Sequence, residues 1–261
     1  MANIIKLTAS DGSTVEFYDE IKAQGGVKDV YFSTDKTYVV AFYRNPTNAN
    51  DKARLENIVG VYREKIFVQN SDGDYWNDIF AWPTKMVEWK GLTGIVIPFY
   101  NKKFFFTGID AQWPFIKNGQ EKNGKWFSSA KLINKFVPAD QKGTFLSRLH
   151  MCLKIARGIR RIHAAGLAHS DLSYNNVLVD PLSGSACIID DDGLVVPGKF
   201  PPEVVGTPGF IAPEVLATKT LKIDDPKKIC LRLLQTATHL QYSSILFCST
   251  AILWTVEKCG I

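Results

Sequence analysis

Residues 166–193 constrain this sequence most, because polar side chains recur there at defined spacings. His169, Asp171 and Asn176 form the pattern His-x-Asp-Leu-x-x-x-Asn. Fifteen residues after Asn176 comes Asp191, in an Asp-Asp-Gly triplet that an apolar run precedes. A third motif, Gly-Thr-Pro-Gly-Phe-Ile-Ala-Pro-Glu, occupies residues 206–214. Each motif alone occurs by chance in many soluble proteins, but three in this order indicate one common function.

These motifs resemble, in order, the catalytic loop, the metal-binding loop and the segment after the activation loop of protein kinases. The resemblance covers about residues 20–226 and is to the bacterial atypical serine/threonine kinases. It implies an α+β fold of two lobes, a small β-rich lobe and a helical large lobe that is incomplete at its C-terminus. ATP and Mg²⁺ would bind between these lobes.

The same resemblance implies a role for each polar residue. Asp171 would be the catalytic base that orients a Ser or Thr hydroxyl, while Asn176 and Asp191 would hold magnesium. Thr207 would shape the site for that hydroxyl, and its segment implies a protein substrate. Small-molecule phosphotransferases share the catalytic-loop pattern but generally lack this segment. His169 is interpreted as a packed structural residue.

Hydrophobic periodicity predicts elements in the order that a kinase requires. They are a strand pair in residues 4–18, three strands in residues 21–44, a helix from Asn48, strands Ile79–Val87 and Gly94–Phe99, an irregular connection in residues 101–145 and a helix Leu146–Ala165. The predicted domains are a small lobe with an N-terminal strand extension (1–100), a partial large lobe (101–228) and a tail (229–261).

The third kinase strand should carry a lysine that binds ATP phosphates, and this sequence lacks it. Either Ala41 or Tyr43 falls at that position, and strand alternation directs Arg44 to the opposite face. Lys28, in the turn after Gly25 and Gly26, offers a replacement, as in the with-no-lysine kinases. The alternative is a pseudokinase in which Lys28 is a solvated turn residue.

The resemblance also implies the remaining nucleotide contacts. The full ATP-binding set is Gly25, Gly26, Lys28, Val30, Ala41, Pro98 and Tyr100, with Lys28 also counted as catalytic. Ile97 would guard the back of the pocket. Glu56 or Glu64 would pair with the phosphate-binding lysine, and the sequence does not choose between them.

Two departures from the family pattern concern regulation. Ser170 replaces the arginine that usually receives an activation-loop phosphate, and residues 192–206 contain no Ser, Thr or Tyr. Both the arginine that would bind the phosphate and a hydroxyl that could carry it are therefore missing. This predicts a kinase whose activity is not regulated by phosphorylation of the activation loop.

The tail departs from the family altogether. A kinase needs an Asp-led buried helix after Glu214, and none is found in residues 229–261. Codons built from the last base of one codon and the first two of the next permit such a helix from Gln235 onward. The hypothesis is a frameshift near Lys228, which would leave the product unstable.

Composition excludes several other functions. The net charge of +5 comes from interspersed acidic and basic residues, so no nucleic-acid interface is predicted. Five cysteines without a Cys-x-x-Cys motif indicate free thiols in a reducing compartment. The N-terminus does not look like a signal peptide, and Ile245–Trp254 is too short to span a membrane. A cytoplasmic protein without a membrane partner is expected, and the oligomeric state stays open.

Overall fold

The computed structural model describes residues 2–67, 73–169, 171–196, 207 and 210. Contacts divide the chain into two compact units, residues 1–73 with 81–100 and residues 74–80 with 101–261. The first unit is mainly a sheet and the second contains a long helix, so the α+β class predicted from the sequence is confirmed.

The first unit is built on one antiparallel sheet. Its strands are β1 (Ile4–Thr8), β2 (Thr14–Gln24), β3 (Lys28–Ser33), β4 (Tyr38–Tyr43), β5 (Lys85–Trp89) and β6 (Leu92–Pro98), in the order β1-β2-β3-β4-β6-β5. The predicted strand pair in residues 4–18 is confirmed by the pairing of β1 with β2. The β5–β6 hairpin turns at Lys90 and Gly91, both at positive φ, which suits a tight two-residue turn.

The sheet curls so that its two outer strands come close together. The backbone N–H of Ser10, just after β1, donates to the carbonyl of Met86 in β5 at 2.8 Å. The rings of Phe17, Tyr31, Phe42 and Trp89 meet inside the curl, with centroids 5.3 to 5.7 Å apart. This aromatic cluster is part of the core on that face, where large rings bury much apolar surface.

A helix with one irregular turn covers part of the other face of the sheet. It runs through α1 (Ala49–Asn57), a π-helical turn (Ile58–Tyr62) and α2 (Arg63–Phe67). Asn48 caps its start by accepting from the Asp51 N–H, as the sequence predicts. Leu55 is fully buried against Ala41 of β4, so the apolar side of this helix faces the sheet.

The predicted strand Ile79–Val87 is wrong in its first half. Residues Gly73–Ile79 form a helix, α3, and β5 begins only at Lys85. The apolar residues between them are buried without a ladder, because Pro83 cannot donate a strand hydrogen bond.

The second unit is organised around a 20-residue helix. Its elements are α4 (Ala130–Phe136), α5 (Phe145–Ala164), β7 (Ala168–His169), β8 (Val177–Asp180), β9 (Ser185–Ile188) and β10 (Leu194–Val195), together with α3. Thr144 and Ser147 form a capping box at the start of α5. Gly166, at φ 80°, ends the helix, and the Leu167 N–H returns to the Ile162 carbonyl at 3.1 Å. The predicted helix Leu146–Ala165 is confirmed.

The connection between residues 101 and 145 is more ordered than predicted. Short 3₁₀ turns lie at Lys102–Phe104 and Gly124–Phe127, and α4 follows. A buried ion pair ties this connection to β8, with the Lys122 Nζ 2.9 Å from Asp180 Oδ1. Cys152 and Cys187, the cysteines within the described residues, are buried and not joined in a disulfide, as expected.

Several sequence predictions lie outside the described residues. They are those on Ser170, on residues 197–206, on the 206–214 motif apart from Thr207 and Phe210, on Lys228 and on the tail 229–261. Among the helices that are described, none is long and apolar enough to cross a membrane.

Candidate active site

Two short strand pairs bring the Asp171 loop and the Asp191 triplet together in the second unit. His169 of β7 pairs with Leu194 of β10, directly after the triplet. On the other side of the loop, the Ile189 N–H donates to the Asn176 carbonyl at 3.0 Å, extending the β8–β9 pairing. Both segments are therefore fixed at each end by backbone hydrogen bonds.

The Asp171 carboxylate is held by two other predicted site residues. Its Oδ1 accepts from the backbone N–H and from the hydroxyl of Thr207, each at 2.7 Å. Its Oδ2 accepts from Nδ2 of Asn176 at 3.2 Å, and the same amide donates to the Asp171 carbonyl at 2.7 Å. Three donor groups thus fix the orientation of one carboxylate.

Asn176 and Asp191 lie in different surroundings. The Asn176 amide turns its NH₂ group to Asp171, which leaves the amide oxygen at the other end of the group. Asp191 is only 1% exposed and begins a 3₁₀ turn that follows Asp190, itself in the left-handed region at φ 65°. Burial, followed by the negative charges of Asp191 and Asp78, raises the pKa of the Cys187 thiol, so the Asp191 charge lies near β9.

These two side chains fit the metal that the sequence implies. An amide oxygen and a carboxylate are hard oxygen ligands, which Mg²⁺ prefers, and Mg²⁺ is commonly bound by one or two carboxylates together with phosphates. Within the described part of the chain, no group of three or more His, Cys, Asp and Glu side chains could hold a metal alone.

Phe210 contacts the same loop at a second point. The ring of Phe210 lies edge-on to Tyr174, with centroids 4.8 Å apart, and the Phe210 N–H donates to the Thr207 carbonyl. Sequence reasoning missed Tyr174, whose only signal is an aromatic residue inside a mostly polar loop. Tyr174 and Phe210 together support the position of Thr207 at Asp171.

In the first unit, the register of β3 against β4 places Lys28 beside Tyr43. Lys28 pairs with Tyr43, and Val30 pairs with Ala41. The Lys28 Nζ lies 5.6 Å from the centre of the Tyr43 ring. Val30, Ala41 and Tyr43 contact the cluster that includes Leu55, so all belong to the face that α1 covers.

The other residues assigned to ATP lie at the ends of strands in the first unit. The Gly25 N–H donates to the Lys28 carbonyl at 2.9 Å and closes the turn, in which Gly26 has open space around its Cα. Pro98 is the last residue of β6, and Tyr100 is the last residue of the unit.

Neither Glu56 nor Glu64 is assigned as the partner of the phosphate-binding lysine, whereas the contacts of Arg44 are defined. Glu56 and Glu64 are both exposed, and the choice between them stays open. Arg44 contacts Asp29, which pairs with Phe42 on the face opposite Lys28, as strand alternation predicts.

No protein-family model matches the sequence. Among curated proteins, dual specificity testis-specific protein kinase 1 of Rattus norvegicus is 42% identical over 78 residues, 26% of this chain and 12% of that protein. The serine/threonine-protein kinase oca2 of Schizosaccharomyces pombe is 29% identical over 149 residues, 51% of this chain and 20% of that protein. The chain therefore spans one fifth or less of these relatives.

Solved structures similar to this chain also include protein kinases, at low sequence identity. A rhoptry antigen kinase domain of Toxoplasma gondii has a TM-score of 0.52 at 15% identity, covering 85% of this chain and 62% of that one. The fold is that of a protein kinase. ROP2 of the same organism, described as a virulence factor with a protein-kinase fold and no enzymatic activity, has a TM-score of 0.51 at 14% identity. The kinase-like chain thus resembles both protein kinases and a catalytically inactive relative.

Proposed function

We propose that this chain transfers the γ-phosphoryl group of ATP to a serine or threonine hydroxyl of a protein. The observation that carries this proposal is the Asp171 carboxylate, which accepts from Thr207 on one oxygen and from Asn176 on the other. A carboxylate fixed in this way can orient an incoming hydroxyl and accept its proton during attack. The names of the curated relatives, which are protein kinases, support the same reaction.

The residues of this chain would divide the work as follows. Asp171 positions the hydroxyl, and Thr207 and Asn176 keep the carboxylate from rotating. Asn176 and Asp191 would hold Mg²⁺, which when bound neutralises charge on the transferred phosphoryl group. A protein substrate is favoured because the resemblance connects the 206–214 motif with protein kinases, and two of its residues, Thr207 and Phe210, contact Asp171 and Tyr174.

Lys28 is proposed as the residue that binds the ATP phosphates. Its cross-strand neighbour Tyr43 is favoured over Ala41 as the position of the missing lysine, since Ala41 is 2% exposed and packs in a cluster with Leu55. A lysine is a point charge on a flexible stem, so a move to the facing strand keeps its charge within reach of the same place. Classification with the bacterial atypical kinases rests on the sequence resemblance alone.

Phosphotransfer by the chain with Asp171→Asn tests the proposal. Radiolabel transfer from ATP to a mixture of proteins should fall by about 10²- to 10⁴-fold, the usual contribution of a positioned general base. Asp140→Asn, at an exposed aspartate of the same unit, is the matched control and should retain activity. Equal activity of the two variants would rule out the role of Asp171.

A pseudokinase that binds nucleotide or protein without catalysis is the second candidate. It is favoured by the absent strand lysine and by the likeness to the inactive fold of ROP2. Lys28→Ala separates the two: loss of transfer supports the relocated lysine, and unchanged transfer refutes it. Nucleotide binding by the wild-type chain without any transfer would favour the pseudokinase.

Transfer to sugars or aminoglycosides but not to proteins would instead indicate a small-molecule phosphotransferase.

A further inference from the structure

The glycine-containing turn of the first unit is attached to the end of β4 by Arg44. The Arg44 backbone N–H donates to the Val27 carbonyl at 3.0 Å, and its guanidinium donates to the Gly25 carbonyl. The Arg44 Nε also lies 3.5 Å from Asp29 Oδ1. One residue thus contacts the turn at its beginning, at its tip and just after its end.

A third side chain completes this arrangement. Gln24, the last residue of β2, donates its amide NH₂ to the same Asp29 Oδ1 at 3.1 Å. The carboxylate of Asp29 therefore links the end of β2 to the residue that follows β4. We call Gln24, Asp29 and Arg44 the turn clamp.

The turn clamp lies on the opposite side of the sheet from Lys28. Lys28 pairs with Tyr43, whereas its neighbour Asp29 pairs with Phe42, and successive side chains of a strand point to opposite faces. Arg44 therefore restrains the backbone that carries Lys28 without occupying the space into which the lysine extends.

The turn clamp acts mainly through the backbone. The Arg44 side chain is 41% exposed, and an ion pair so open to water stabilises little by Coulomb attraction alone. Its planar guanidinium can bind a carbonyl and a carboxylate together, which an ammonium group cannot do in the same geometry. Gly25 and Gly26 give the turn a large conformational freedom when it is not restrained.

We propose that Arg44 is a positioning residue that fixes the turn of residues 25–28 so that Lys28 is preorganised for the phosphates of ATP. This inference rests on the proposed function, because it assigns Arg44 to the nucleotide site of the same reaction. Restraining a binding group before the ligand arrives reduces the ordering cost of binding. The turn clamp should therefore change the affinity for ATP more than the stability of the fold.

The test compares Arg44→Lys with wild type in the full chain. The variant keeps the charge but loses the planar fork, so KM for ATP should rise roughly tenfold, with Tm nearly unchanged. Asp29→Asn keeps the size of the side chain and should also raise KM for ATP. Lys6→Met is the matched control, because it removes an exposed 2.7 Å ion pair with Glu16 elsewhere in the same sheet.

A second readout does not depend on catalysis. The Gly25 N–H, bonded to the Lys28 carbonyl, should exchange with solvent several-fold faster in Arg44→Lys and as in wild type in Lys6→Met. Binding of a fluorescent ATP analogue should weaken in parallel.

Three results would overturn the inference, and they are distinguishable. Unchanged KM in an active Arg44→Lys variant rejects the positioning role and leaves the proposed function intact. A fall in Tm and kcat with KM unchanged means that Arg44 is only structural. A wild-type chain that neither binds the analogue nor transfers phosphate rejects the proposed function, and the role of Arg44 with it.

Discussion

Gly158 lies where α5 passes closest to its neighbours in the second unit. A Cβ at this position would lie 2.8 Å from Ile79 Cγ2 and 2.9 Å from Ile188 Cδ1, closer than real contacts allow. Both neighbours are buried, so neither can move away freely. The absence of a side chain at Gly158 therefore lets the helix approach β9, which precedes Asp191.

Gly158→Ala should destabilise the second unit even though alanine is the better helix former. We expect a loss of about 1–3 kcal/mol in the free energy of unfolding, the usual cost of overpacking a core. Gly60→Ala is the control, because Gly60 is also helical and has open space around it. That variant should be neutral or more stable by up to about 1 kcal/mol. Urea denaturation of both variants measures the difference, and equal stabilities would contradict the predicted clash.

The contacts of Asp171 show which parts of the site were predictable at this scale. Asn176 is five residues away, so the spacing of the motif already brings the two side chains together. Thr207 is 36 residues away, and only the family resemblance could connect it with Asp171. Strand alternation placed Ala41 and Tyr43 on one face, but the pairing of β3 with β4 was needed to put Lys28 beside Tyr43.

At the scale of elements, the Lys122–Asp180 pair fastens the 101–127 connection to β8. Both side chains are buried, and Asp180 Oδ2 also accepts from the hydroxyl and N–H of Ser183. Burial opposes ionisation of Asp180, but hydrogen bonds from Ser183 and Lys122 prevail and hold its pKa below the ordinary value of 3.8. The ionised form is therefore favoured by folding.

The lowered pKa predicts how acid affects the second unit. A depressed carboxylate pKa contributes stability above the unfolded pKa of about 3.9 and loses it as the pH falls through the lower folded-state value. Asp180→Asn should lower the free energy of unfolding at pH 7 by about 3 kcal/mol, because it leaves Lys122 buried and unbalanced. Between pH 5 and pH 2, the Tm of the variant should also fall less than the Tm of wild type, because the variant has no Asp180 carboxylate to protonate.

The half-exposed pair of Lys103 and Asp78 provides the comparison for this prediction. Its Nζ–Oδ2 distance is 3.1 Å, close to that of the buried pair, but it remains accessible to solvent. Asp78→Asn should cost about 1 kcal/mol or less. If both variants lost equal stability at pH 7, burial would not be the reason for the strength of the Asp180 pair.

The sequence predicted long or regularly patterned elements and failed on short helices. Helix α5 was clear because 20 residues show several repeats of the helical period, with a cap at Thr144 and a glycine at the end. Helices α3 and α4 have seven residues each, about two turns, which is too short to distinguish a helical pattern from a strand. The chain from Ile79 to Trp82 is apolar because it is buried, not because it is a strand.

At the scale of the whole molecule, the two units carry different halves of the predicted chemistry. The first contains Lys28 and the turn clamp, and the second contains Asp171, Asn176 and Asp191. Each half was readable from sequence because its motif is local, whereas a tail without a family pattern gave no such signal.

The hypothesis that residues after Lys228 are read out of frame stays a prediction. The family resemblance implies an Asp-led buried helix after Glu214, and residues 229–261 do not encode it in this frame. Sequencing the coding DNA from Asp224 past the stop codon, with translation of all three frames, tests the hypothesis directly. We expect a shifted frame to continue with an Asp-led helix and further kinase helices.

The product of that frame should then be more soluble and more active than this chain, because it would contain the missing core. If no frame encodes such helices, the tail is genuine, and the absence of a core helix would favour the pseudokinase over the enzyme.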